Sequence, residues 1–144
     1  VEALLGRRDT KMAGHLPPDI QAEIAIITSA NSVWDSALAY LAKRGHAIPA
    51  DVLGRDRSAA YEANLRVQDV LLDIHRNDPE SATVCERLLD IEEGIQEWRY
   101  RHVKMVERTI GHKMGTGGSS GVEYLSSTLF NPAFKDLWEI RSRF

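Results

Sequence analysis

The sequence predicts an all-α protein, and three observations support this fold class. Apolar residues recur at intervals of three and four along several blocks, as one face of an amphipathic helix requires. Gly, Pro and Asn residues separate these blocks, and no convincing alternating pattern of a strand occurs. The length of 144 residues and the 43% hydrophobic content suit a single globular domain with a sizeable core.

The first two predicted helices are separated by a capping signal. Pro17-Pro18-Asp19 opens a short apolar block that runs through Ile27. Ser32 and Asp35 have the spacing of a capping box, with Asp in place of the usual Glu, and the helix that they start stops at Gly45. The apolar side of this helix comprises Val33, Trp34, Ala37, Leu38, Tyr40 and Leu41.

The middle of the chain is predicted to hold a connector and two helices. Residues 49–57 are expected to form the connector, and a third helix is expected from about Ser58 to Arg76. Asn77-Asp78-Pro79 breaks that helix, and a long fourth helix runs from about Pro79 to Ile110, where Gly111 ends it. The apolar positions of the fourth helix are Val84, Leu88, Ile91, Ile95, Trp98, His102, Met105 and Thr109.

Two short helices complete the predicted fold. One is expected from about Val122 to Phe130, and Asn131-Pro132 starts the last one. At the other end, the run from Val1 to Gly6 is typical of the final turns of a helix that ends at a glycine. We therefore expect an N-terminal part to be missing from this chain.

Net charge, hydropathy and cysteine content limit the partners and the cellular compartment that the sequence predicts. The net charge of −3 gives no reason to expect nucleic acid or an anionic membrane as the main partner. No run of about eighteen apolar residues occurs, so the sequence predicts no membrane span. The single cysteine, Cys85, excludes an internal disulfide framework and favours a reducing compartment, the cytoplasm; it is expected to be a buried helix residue.

His102 is the candidate cofactor ligand. Residues three and four positions away share its helix face, and Trp98, Met105 and Val106 would form an apolar wall on which a flat porphyrin would pack. A neutral imidazole in such a wall is a suitable axial ligand of iron. Spacing alone leaves open the commoner alternative, a histidine that packs in the core or against a partner. No second histidine lies four residues away, which excludes a two-histidine zinc site on this helix.

Basic side chains surround His102 along the same helix. They are predicted to form a solvated face or to pair with helix glutamates, although they could also meet the acidic edges of a cofactor. The basic residues are Arg99, Arg101, Lys104 and Arg108, and the glutamates are Glu92, Glu93, Glu97 and Glu107.

The segment Gly115–Gly121 is the candidate substrate clamp. Its four glycines permit close backbone approach, and Thr116, Ser119 and Ser120 add hydroxyl groups, so the loop could grip the ammonium or carboxylate of an amino acid. It lacks the lysine and the spacing of a phosphate-binding loop. A flexible surface connector is the alternative, and a lid that orders around a ligand is a third possibility.

The run from Trp98 to Leu125, which contains both candidates, resembles the signature of the tryptophan 2,3-dioxygenase family over its whole length. The segment Leu41–Pro49 looks like a further segment of that family, whereas Val1–Ile27 matches only loosely. The resemblance covers most of the chain but only the later half of a typical member. It therefore identifies residues 1–144 as the C-terminal, haem-binding portion of a single-domain dioxygenase whose N-terminal half is absent.

The resemblance implies a fold, a cofactor and a reaction. Family members are helical bundles of the tryptophan/indoleamine dioxygenase type that form homotetramers and bind haem b, iron protoporphyrin IX. They insert both atoms of O2 across the indole C2–C3 bond of L-tryptophan to give N-formyl-L-kynurenine, the first step of tryptophan catabolism by the kynurenine pathway. By resemblance, His102 is the proximal axial ligand of the haem iron. Thr116 matches the residue that contacts the substrate ammonium and the haem propionate region.

Part of the family's pocket has no counterpart in this sequence. The distal histidine, the aromatic residues around the indole and the arginine that pairs with the substrate carboxylate lie in the N-terminal half of family members. These roles are not transferred to other residues of this chain. Surface or structural roles are expected for His15, His46, Arg7 and Arg8. No matching catalytic role is expected for His75 and His112.

Two alternatives to the tryptophan reaction remain open at this stage. One is a haem enzyme of the same superfamily with other aromatic amino-acid chemistry, such as tyrosine hydroxylation. The other is a non-catalytic helical interaction module, in which an exposed stripe containing Ile95 and Trp98 would bind a partner.

Overall fold

The computed structural model describes residues 4–6, 8, 13–111, 122–127 and 129–144. Within these ranges every regular element is helical, which confirms the predicted all-α class. The chain divides into two compact units, one formed by Val1–Thr83 with Ala133–Phe144 and the other by Val84–Pro132. No helix in the described part of the chain is both long and apolar enough to cross a membrane.

The helices follow one another in a simple order along the chain. After a 3₁₀ turn at Ala13–His15, they are α1 (Pro18–Ser29), α2 (Val33–Lys43), α3 (Ala50–Leu53), α4 (Leu65–Asn77), α5 (Pro79–Ile110), α6 (Val122–Ser127) and α7 (Lys135–Glu139), followed by a 3₁₀ turn at Ile140–Arg143. Gly45 and Gly111 have φ angles of 99° and 60° just after α2 and α5, so both predicted stops lie in the left-handed region that glycine tolerates.

Several of the predicted boundaries are wrong. The expected connector 49–57 contains the four-residue helix α3, which begins directly after Pro49. The third predicted helix starts at Leu65 instead of Ser58, because the Asn64 side chain accepts a hydrogen bond from the Arg66 N–H and caps α4 there. Near the C-terminus, α6 ends at Ser127 and α7 begins only at Lys135.

The capping box of α2 has the geometry that the sequence predicted. The Ser32 hydroxyl accepts a hydrogen bond from the Asp35 N–H at 3.1 Å, and the Asp35 carboxylate accepts one from the Ser32 N–H at 2.9 Å. Arg55 donates to both carboxylate oxygens of Asp35, at 2.9 and 3.0 Å. Burial by itself would raise the pKa of Asp35, but the hydrogen bonds from Ser32 and Arg55 outweigh it and lower that pKa.

The ionised state of Asp35 should therefore stabilise the fold, and Asp35→Asn should lower the free energy of unfolding by about 2 kcal/mol at pH 7. Because Asp35 has a lower pKa in the folded state than in the unfolded state, its ionisation stabilises the fold above the unfolded-state pKa of about 3.9. This stabilisation is lost as the pH falls from there through the folded-state pKa. The difference between wild type and Asp35→Asn should accordingly shrink below about pH 4. Urea unfolding at several pH values measures this difference in the free energy of unfolding, and Asp73→Asn, at an exposed carboxylate, is the control. A difference that grows in acid would contradict this account.

Three aromatic rings form the centre of the first unit. The Trp34 ring lies 6.2 Å from Tyr61 in an edge-on arrangement and 5.8 Å from Phe134, measured between ring centroids. Aromatic pairs favour edge-on and tilted contacts of this kind. Leu38, Leu71, Ile74, Leu137 and Ile140 of the same unit are also fully buried. The C-terminal helix is thus part of the core that α2 and α4 build.

A buried carboxylate, Asp136, joins three segments of this core. Its oxygens accept hydrogen bonds from the Tyr61 hydroxyl, from the Asn64 N–H at 2.8 Å and from the Gln68 amide at 3.1 Å. Asp136 is fully buried, and this burial raises its pKa although the three donors act in the opposite direction. Asp136 therefore ties α7 to the start of α4 and to the segment that precedes it.

The first turn of α5 is capped by Asp78. The Asp78 carboxylate accepts hydrogen bonds from the Ser81 N–H at 3.2 Å and from the Ser81 hydroxyl at 2.6 Å, and the His46 Nε2 atom lies 3.0 Å from it. The hydrogen bonds from Ser81 are the main reason that the pKa of Asp78 is lowered. His46 thus has a structural role, as expected, and fastens the loop after α2 to the start of α5.

Candidate functional site

Helix α5 carries the candidate ligand, and from Val84 onward it presents two different faces. One face is buried and consists of Cys85, Leu88, Leu89, Glu92, Arg99 and Val103. These positions recur every three or four residues, as the inward face of a helix does. The predicted burial of Cys85 is confirmed, since its side chain is only 1% exposed.

The other face is an apolar surface, called here the α5 stripe: Ile91, Ile95, Trp98, His102 and Met105. Ile91, Trp98 and Met105 are exposed by 53%, 57% and 56%, respectively, whereas Ile95 and His102 are half-buried. Of the eight residues of the predicted periodic pattern, four are thus exposed, three are half-buried and Leu88 alone is buried. Large apolar side chains that stay exposed in a row typically mark a binding surface.

His102 lies within the α5 stripe, stacked on Trp98. The two rings are 5.4 Å apart between centroids and are inclined by only 8°. Stacking occupies a face of the imidazole and leaves both nitrogens at its edge. Neither nitrogen forms a hydrogen bond with a residue in the described ranges. A half-buried imidazole with available nitrogens beside apolar side chains is chemically suited to ligate a metal in a flat macrocycle.

The charged residues around His102 divide into two groups. Arg101 pairs with Glu97 at 2.6 Å, and Lys104 pairs with Glu107 at 2.8 Å; these exposed pairs confirm the predicted solvated face. Arg99 was predicted to share that face, and this prediction is wrong, because its side chain is only 5% exposed. Arg99 lies on the buried face of α5, seven residues after the buried Glu92 and four before the buried Val103.

The second candidate, Thr116, lies outside the described residues, as do the rest of the glycine-rich segment Gly115–Gly121 and His112. The described chain ends at Gly111 on one side of this segment and resumes at Val122, which is buried, on the other. Within the described parts of the chain, no three His, Cys, Asp or Glu side chains form a metal-binding group. His102 would therefore serve as a single protein ligand.

The remaining histidines and Arg8 have positions that fit the expected surface and structural roles. His15 is exposed, and the His75 Nδ1 atom lies 2.8 Å from the Leu71 carbonyl oxygen while its ring contacts Phe144. Arg8 donates hydrogen bonds to backbone carbonyl oxygens of two other segments. Arg7 lies outside the described residues.

A small cavity of about 190 Å³ lies in the first unit, beside α2 and α3. Its wall is mainly apolar, and the two charged groups at its edge, Asp35 and Arg57, are already engaged. Asp35 binds Arg55 and Ser32, and Arg57 donates to the carbonyl oxygens of Leu53 and Arg55. The cavity therefore offers no polar group that is available for a ligand.

Comparison with known proteins identifies one family. A family model described as tryptophan 2,3-dioxygenase matches residues 77–144, the part of the chain that contains α5 and the α5 stripe. A tryptophan 2,3-dioxygenase of Anaeromyxobacter dehalogenans (strain 2CP-C) is 55% identical over 144 residues, which cover 98% of this chain and 54% of that protein.

Other relatives carry the same name. The tryptophan 2,3-dioxygenase of Herpetosiphon aurantiacus is 55% identical over 111 residues, which cover 77% of this chain and 42% of that protein. The protein of that name from Bacillus thuringiensis (strain Al Hakam) is 41% identical over 129 residues, which cover 88% and 46%, respectively. The chain spans about half the length of the curated relatives it matches.

Proposed function

The chain belongs to the tryptophan 2,3-dioxygenase family, and from this premise we propose that it is the C-terminal portion of a haem-dependent dioxygenase. The proposed reaction is oxidative cleavage of the indole C2–C3 bond of L-tryptophan to N-formyl-L-kynurenine, which begins tryptophan catabolism by the kynurenine pathway. The observation that carries the proposal is the available imidazole of His102 on the α5 stripe, within the segment that matches the family.

The surroundings of His102 fit haem b as the cofactor. The α5 stripe offers exposed apolar side chains on both sides of the imidazole, Trp98 one turn before it and Met105 one turn after it. A porphyrin is a flat apolar ring whose transfer from water onto such side chains is favourable. Because one protein ligand is sufficient for a metal held by a macrocycle, His102 needs no neighbouring ligand.

When bound, haem supplies the oxygen chemistry, and the protein supplies binding, orientation and exclusion of water. In this chain His102 would hold the iron on one side, and the α5 stripe would cover part of the porphyrin. The exposed cations Arg101 and Lys104 already pair with glutamates, so they are weaker candidates for the propionates.

We also propose that Thr116 contacts the substrate ammonium, as the family resemblance implies. Thr116→Ala should then weaken binding of L-tryptophan by about tenfold while haem stays bound, because one hydrogen bond to a charged group is lost. Thr116→Ser keeps the hydroxyl and should restore most of the affinity. Steady-state kinetics of the full-length enzyme, beside its visible spectrum, measures both quantities. An unchanged Michaelis constant in Thr116→Ala would remove this residue from the site.

A homotetramer in the cytoplasm is part of the same proposal. Helix α1 supports an assembly, because it has no buried residue and exposes Ile26 and Ile27 by 72% and 50%. Apolar surface of this kind is commonly covered in oligomers. A lone buried cysteine, Cys85, suits a reducing compartment.

The proposal is tested by the visible absorption spectrum of the haem-loaded protein and by identification of the reaction product. The full-length protein containing this chain should bind haemin with a Soret band and, once reduced, convert L-tryptophan and O2 to N-formyl-L-kynurenine, identified by mass spectrometry. L-Tyrosine in place of L-tryptophan tests the related hydroxylase chemistry. A Soret band with product from tyrosine alone would overturn the substrate assignment. Absence of any haem binding would instead favour a non-catalytic module that uses the exposed α5 stripe to hold a partner.

A further inference from the structure

We propose that Trp98 is a positioning residue for His102, whose indole fixes the orientation from which the imidazole reaches the haem iron. The inference rests on the proposed function, because it assumes that His102 is the axial ligand. Its structural basis is independent of that assumption and lies in the contact between the two rings.

The contact between Trp98 and His102 is a parallel stack along one helix face. The two residues are separated by one helical turn, with ring centroids 5.4 Å apart and ring planes inclined by 8°. An indole in this place restricts rotation of the imidazole about its side-chain bonds. The stack leaves both imidazole nitrogens at the ring edge, where neither forms a hydrogen bond with a residue in the described ranges.

The exposure of Trp98 indicates that burial of its indole in the interior of the second unit is not what holds the two rings together. The indole is 57% exposed, so the interior of the second unit does not depend on it. Aromatic pairs nevertheless attract each other beyond simple burial. The indole therefore helps to hold its stacked neighbour, beside the apolar surface that it offers to a porphyrin.

Orientation before binding has a measurable effect on affinity. Ordering one mobile side chain during association weakens binding by about two- to tenfold. A ring that is already held by a stack avoids most of this loss. Trp98→Ala should consequently raise the dissociation constant for haemin about three- to tenfold and should broaden the iron–histidine vibration of the reduced haem. Trp98→Phe retains a stacking ring and should stay within about twofold of wild type.

The experiment is a haemin titration followed by the Soret band, with resonance Raman spectra of the reduced complexes. Tyr100→Ala is the matched control, because Tyr100 is another aromatic residue of α5, exposed by 54%, that does not stack on His102. It should leave both the affinity and the iron–histidine vibration unchanged. Circular dichroism of the apo proteins verifies that each variant keeps its helices.

A double-mutant cycle separates positioning from direct contact with the porphyrin. If Trp98 acts through His102, Trp98→Ala should have a much smaller effect in a His102→Ala background than in the wild type. Equal losses in both backgrounds, or wild-type affinity and spectra in Trp98→Ala, would overturn the positioning role alone. Full haemin affinity in His102→Ala would overturn the ligand assignment itself and the positioning role with it.

Discussion

His102→Ala is expected to weaken haemin binding by about 100-fold or more and to abolish formation of N-formyl-L-kynurenine. Changes to groups that merely support a metal ligand cost about 10- to 100-fold, so loss of the ligand itself should cost at least as much. The fold should remain intact, because His102 lies on the partly exposed α5 stripe and outside the buried face of α5. Soret titration and product analysis of the full-length enzyme measure the two effects.

The matched control for this variant is His75→Ala. His75 also lies on a helix and is half-buried, but its ring contacts the Leu71 carbonyl and Phe144, and no ligand role is proposed for it. It should leave the Soret band unchanged. A smaller variant, His102→Gly, should regain haem binding when free imidazole is added. Normal haem retention and turnover in His102→Ala would show that another residue ligates the iron.

Asp136→Ala should produce the largest loss of stability in the first unit, about 3–5 kcal/mol of the free energy of unfolding. The substitution leaves the buried Tyr61 hydroxyl, the buried Gln68 amide and the partly buried Asn64 N–H without their acceptor. Each unsatisfied buried donor costs about 1–3 kcal/mol. The Tyr61 donor cannot escape by ionising, because burial alone already raises its pKa. Urea unfolding at pH 7 measures the effect.

Two further variants define the origin of that loss. Tyr61→Phe removes a single donor and should cost about 1 kcal/mol, since the other two hydrogen bonds of Asp136 remain. Asp73→Ala, at an exposed carboxylate on α4, should stay within about 0.5 kcal/mol of wild type. If Asp136→Ala is no less stable than Asp73→Ala, the three hydrogen bonds do not hold α7 in place.

The long helices were predictable because their signals are local. The capping box of Ser32 and Asp35 fixed the start of α2, and α5 was predicted with its observed ends, Pro79 and Ile110. The short helix α3 was missed because four residues are too few to display a hydrophobic period. The start of α4 was placed seven residues too early because its N-cap, Asn64, is tied by its N–H to Asp136, a residue distant in sequence.

The candidate site was only partly predictable. Periodicity placed Trp98 and Met105 beside His102, and the structure keeps them on one face. Periodicity does not reveal whether an apolar stripe packs into the interior of its own chain or stays exposed on the surface, because both kinds of stripe have the same spacing of apolar residues. Arg99 illustrates the converse, since a charged residue is rarely buried and its inward position depends on packing that the sequence does not display.

The order of the segments along the chain affects how the first unit folds during synthesis. Residues 133–144 belong to the first unit, although the whole second unit is synthesised before them. Phe134, Leu137 and Ile140 in this last segment are fully buried. Because a ribosome makes these residues only after the second unit, the nascent first unit must wait with its apolar interior accessible to chaperones and proteases until translation has passed them.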